Sequence, residues 1–74
     1  MRPDEVVHSD PELLGGTPVF VGTRVPVRAL MEHLEAGDTL GDFLRSFPSV
    51  TRNQAVAALE IASELLADAA HSRR

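Results

Sequence analysis

Arginine and asparagine at the start of a helix can read base edges, Arg pairing bidentately with guanine and Asn or Gln with adenine. The run Thr51-Arg52-Asn53-Gln54 puts these residue types together. Arg45 and Arg28 are further cations able to hold phosphates. Two features oppose this reading. Glu60 follows one to two turns later on the same exposed side, and the turn ahead of Thr51 lacks the usual glycine. Two helices joined by a short turn are also a common packing unit. DNA readout and plain packing therefore both stay open.

Other constellations lead nowhere catalytic. His8-Ser9-Asp10 holds the letters of a triad. Neighbours on a strand point to opposite faces, however, and a triad needs convergence in space. His8, His33 and His71 share no ligand spacing, so no metal is expected. Gly15-Gly16-Thr17 is not a phosphate loop, because the chain contains no lysine. These glycines suit turns with positive φ. With no nucleophile–base pair, no metal set and little room for a pocket, neither an enzyme nor a cofactor is expected.

Composition narrows the class. A chain of 74 residues makes one domain, near the lower limit at which an apolar core suffices alone. It has no cysteine, which excludes disulfides and thiolate zinc sites. No signal peptide and no membrane span is legible, and a cytoplasmic location is expected. The net charge of −4 is not that of a strong monomeric nucleic-acid binder. Its distribution is uneven. Residues 1–22 carry Arg2 against Asp4, Glu5, Asp10 and Glu12, whereas residues 39–59 carry Arg45 and Arg52 against Asp42 alone.

The elements that must position these residues follow from patterning. Val6-Val7-His8 and Pro18-Val19-Phe20-Val21 are β-type runs separated by turn residues, which predicts an antiparallel hairpin within about residues 5–22. Pro26 suits the first residue of a helix carrying Val27, Leu30, Met31 and Leu34 at i, i+3, i+4, i+7, with Gly37 at its C′ position. Thr39 caps a shorter helix bearing Leu40, Phe43, Leu44 and Phe47, with Asp42 at N3 and Pro48 as its stop. Thr51 and Gln54 form a capping box for a long helix running to about Ala70, after which residues 71–74 are expected to fray. The fold class is thus α+β and mainly α. A three-helix, helix-turn-helix-like unit over residues 26–70 stands behind a short N-terminal hairpin, all in one domain over residues 1–74.

The long helix has an apolar arc wider than one small core requires. Its centre, Ala58, Ile61 and Leu65, asks for a second surface: the hairpin of the same chain, a second copy, or another protein. The hairpin edge, Val19, Phe20 and Val21, is the other candidate for protein contact. Glu60, Glu64 and Asp68 recur at i, i+4, i+8 as an acidic ridge, serving either solubility or a basic partner.

The run Gly16-Thr17-Pro18-Val19-Phe20-Val21-Gly22-Thr23-Arg24-Val25-Pro26-Val27 is specific. With Asp10-Pro11 before it and Ala36-Gly37-Asp38, Phe47-Pro48, Thr51, Ala55 and Ala58-Leu59 after it, the chain resembles the small prokaryotic family catalogued as domain of unknown function 433. The resemblance runs from about Val7 to Leu66. It implies a helix-turn-helix-like domain behind a hairpin, and an antitoxin of a type II toxin–antitoxin pair. Such a protein binds and silences a PIN-like ribonuclease toxin and represses its own operon as a dimer. The resemblance carries no catalytic residues. Its signature residues Gly16, Pro18, Gly22, Thr23 and Arg24 are expected to shape the hairpin and its turn, with Arg24 paired to Asp38 or Asp42. Unlike many antitoxins, this chain is expected to leave only about four residues after its last helix, so a toxin would be held by a folded surface. A stand-alone DNA-binding regulator and a plain interaction module are the alternatives.

Overall fold

Pro3 at the head of an acidic turn starts a structure that the β-type Val6-Val7 pair conceals. The computed structural model describes residues 2–12 and 14–72. Its first element is a single helical turn, α1 (Pro3–Val6), in which the Arg2 amide donates to Glu5 Oε1 at 2.8 Å. Val6 therefore leaves the expected strand and becomes a buried helical residue. The strands that remain are short. β1 (Val7–His8) pairs antiparallel with β2 (Val19–Phe20), Val7 opposite Phe20 and His8 opposite Val19. Between them Leu14–Gly16 forms a 3-10 turn, and Ser9 Oγ donates to the Gly16 carbonyl.

Gly22, with φ of 80°, closes the next turn. Thr23 Oγ1 donates to the Phe20 carbonyl and accepts from the Val25 amide. Arg24 pairs with neither Asp38 nor Asp42, whose carboxylates are taken by His33 and Arg45. α2 (Val27–Glu35) follows Pro26, which is its N-cap rather than its first residue. At its end Gly37 (φ 92°) donates to Leu34 O and Asp38 to His33 O, the paired bonds of a Schellman cap. α3 (Leu40–Ser46) carries the expected capping box. Thr39 Oγ1 accepts from the Asp42 amide and Asp42 Oδ2 from the Thr39 amide, each at 3.0 Å.

α4 (Arg52–Ser72) is the long helix, and it continues through His71 where fraying is expected. Arg73 and Arg74 lie outside the described residues. The molecule is mainly helical with a short N-terminal hairpin. The hairpin packs on the helices, which a two-stranded ribbon needs for its stability. The core gathers Val6, Phe20, Leu30, Phe43, Val50, Ala55 and Ala58 from every layer. Among the described residues, no helix is long and apolar enough to cross a membrane.

The α3 cap has a pH signature. The Thr39 amide, then the Thr39 hydroxyl, then Arg45 hold the Asp42 carboxyl below its ordinary value of 3.8. A carboxyl depressed in the folded state contributes stability above its unfolded pKa and loses it as pH falls through the folded one. Asp42→Asn should therefore unfold more readily than the natural chain at neutral pH. The gap should close below about pH 4, as read from thermal melts across pH.

Candidate functional site

The start of α4 is held chiefly by three bonds of 3.0 Å. Thr51 Oγ1 accepts from the Gln54 amide and Gln54 Oε1 accepts from the Thr51 amide, both at 3.0 Å. The third, from Gln54 Nε2 to the Val21 carbonyl at 3.0 Å, spans 33 residues and ties the helix start to the hairpin turn. Both ends of the Gln54 amide are thus occupied, which removes it from the base-reading set. The Thr51 hydroxyl is likewise committed to the cap. Arg52 and Asn53 stand exposed on the same first turn, with no side-chain ion pair or side-chain hydrogen bond among the described residues. Of the expected readers, these two are the ones the geometry leaves available.

The expected phosphate contacts separate from this end. Arg45 is bonded to Asp42 of its own helix. Arg28 sits instead on the wall of a groove whose α4 side begins at Ala58. That is six residues beyond Arg52, about 9 Å along the axis at ~1.5 Å per residue. The cations read together in the sequence do not form one patch.

The protein-binding set divides in the same way. Val19 and Phe20 are wholly buried and cannot offer side chains to a partner. The hairpin edge is also closed: Val19 bridges Pro26 on the side away from β1, and the Val21 amide donates to Val6 O while its carbonyl takes Gln54. Ala58 belongs to the core, 5% exposed, and forms only a floor. Ile61 is half-buried, and Leu65 is 65% exposed.

These residues of α4 border an open apolar groove of about 380 Å³. Val27, Arg28 and Met31 of α2 make the opposite wall, and Val7, Thr17 and Pro18 close it from the hairpin side. The α4 wall was legible as an apolar arc. The other walls come from residues 27 to 58 positions away in sequence, and no local pattern joins them.

His33 completes a second, smaller cluster. Its ring meets Phe43 and Phe47 edge-on at 5.6 and 5.7 Å. Its Nδ1 lies 3.0 Å from Asp38 Oδ2, a close polar contact without the alignment of a hydrogen bond. The cluster closes the end of α2 over α3.

Comparison with known proteins identifies the lineage. A family model described as "Protein of unknown function (DUF433)" matches residues 7–62. An uncharacterized protein, y4eO, of Sinorhizobium fredii is 46% identical over 46 residues, 62% of this chain and 21% of that protein. The chain thus corresponds to about a fifth of that relative's length. No solved structure gives a significant match.

The two roles of the α4 start can be separated. Gln54→Ala should lower stability by about 1–2 kcal/mol through loss of the cap and the Val21 bond. Arg52→Ala should stay within about 0.5 kcal/mol of the natural chain. Urea denaturation of both variants checks this.

Proposed function

The chain belongs to the DUF433 family, and from that premise we propose that it is the antitoxin of a type II toxin–antitoxin pair, neutralising a PIN-like ribonuclease toxin and binding operator DNA as a dimer. The observation that carries the DNA half is the first turn of α4. Arg52 and Asn53 are exposed there and unpaired among the described residues, on a helix start held by the Thr51-Gln54 box and the Val21 bond. In this reading α3, the turn through Pro48 and α4 act as a helix-turn-helix. α4 enters the major groove by its N-terminus and α3 crosses the backbone. A locked start suits that role, because base readout depends on side chains projecting from a fixed frame.

A monomer of net charge −4 carries too few cations near this end to hold a duplex. Two copies on a palindromic site would present two Arg52-Asn53 ends and double the phosphate contacts. The acidic ridge of Glu60 and Glu64 shares the face of Asn53 but begins about two turns further along α4, so in this reading only the first turn of the helix approaches the duplex. The toxin half is supported by apolar surface left over once the core is filled. Val56, 38% exposed, lies on the side of α4 opposite Leu65, and Leu66, 71% exposed, lies between the two. A toxin held there would be held by a preformed surface.

Two measurements test the reading. Co-expression with the product of the adjacent gene should yield a defined heteromer and relieve that product's toxicity. Purification without the neighbour attached would transfer the proposal to a stand-alone DNA-binding regulator. Arg52→Ala should weaken operator binding by about 1–3 kcal/mol if it reads a base and leave the heteromer intact. Unchanged operator affinity would mean that a different end of the domain meets DNA.

A further inference from the structure

α4 outruns the body it is packed on. Its 21 residues span about 32 Å at ~1.5 Å each, and every described residue from 63 to 71 is exposed. This overhang is apolar along one side. Leu65 and Ala69 continue the line of Ala58 and Ala62 at i, i+4, i+7, i+11, and that line is the α4 wall of the groove. Groove and overhang are therefore one continuous apolar surface, half of it concave and half protruding.

We propose that this surface is the contact between two copies of the chain, the overhanging turns of each α4 lying in the groove of the other. Three observations favour a second copy as the occupant. The surface carries both the recess and the ridge that would fill it, which is the self-complementarity a two-fold interface requires. Leu65 belongs to both parts, lining the groove while 65% exposed, so an antiparallel pair of α4 helices about an axis near Leu65 buries it twice. The charges also match. Arg28 is the one charged residue lining the groove, and it has no ion pair within its own chain among the described residues. Glu64 stands three residues after Ile61 of the groove's α4 wall, also without an ion pair among the described residues, and the antiparallel arrangement brings it beside the partner copy. The pairing supplies the dimer that the operator reading calls for, and it rests on that reading only for its use on DNA. Val56 and the Arg52-Asn53 end stay outside the contact.

The test is the native mass of the purified chain by sedimentation and native mass spectrometry. The natural sequence should give twice its 8.0 kDa. Leu65→Asp should raise the dissociation constant at least about a hundredfold with unchanged helical circular dichroism, since the position is exposed in the monomer. Charge exchange guards against a folding defect. Arg28→Glu and Glu64→Arg should each weaken the dimer about three- to tenfold, and together they should restore it. A natural chain that is monomeric at high micromolar concentration overturns the proposal, as does a dimer indifferent to Leu65→Asp. A monomer that uses Leu65 only to bind the neighbouring gene's product also overturns it. In that last case the groove is the toxin's, and the antitoxin reading survives.

Discussion

The contact on which this small fold depends is between two wholly buried rings, Phe20 of β2 and Phe43 of α3, with centroids 6.2 Å apart. Phe47 extends the stack at 5.1 Å from Phe43, and His33 of α2 closes over both. A domain of 74 residues has few large side chains to bury, and all three of its phenylalanines are in this contact. It joins the hairpin to the helical layer. Without it, a ribbon of two-residue strands would have nothing to hold it. Gly41 weakens α3 by up to ~1 kcal/mol, so that helix also owes its formation to the rings it carries.

From this anchor the position of the α4 start follows. Phe20 fixes β2, the turn at Gly22 fixes the Val21 carbonyl, and that carbonyl receives Gln54. The capping box sets the helix start locally, while the Val21 bond sets it relative to the body. Arg52 and Asn53 thereby project from a rigid frame although neither side chain is paired among the described residues. The same economy leaves the other end of α4 bare. The core is complete by about Ile61, and the helix continues because Ala, Leu and Glu propagate it at little cost once nucleated.

The long helix thus has two ends of unlike physics. The first turn of α4 is polar, fixed and cation-bearing. Its last three turns are apolar on one side, acidic beside it, and without cover in the single chain. A polar end suits a ligand read by hydrogen bonds, and an apolar ridge suits a protein. Their separation along one helix lets the two kinds of contact form without competing for the same residues.

What the sequence by itself determined was local. The caps at Thr39 and Thr51, the Gly37 stop and the apolar stripe of α2 are written within a few residues of where they act, and hydrogen-bond geometry makes such signals nearly context-free. Only the tertiary structure decided the rest. Val6 entered a helical turn because Pro3 and Glu5 outweighed the β-branched pair after them. Val19 and Phe20 were withdrawn from any partner because the rings needed burial, and Pro26 closed the strand edge. Gln54 passed from candidate reader to tie, since a carbonyl 33 residues away came within reach of its free amide. Arg28 parted from Arg52 because α2 faces the middle of α4 and not its beginning. The groove could not be read locally at all: its walls meet only after the chain has folded, and periodicity on one helix shows that a surface is apolar without showing what lies opposite.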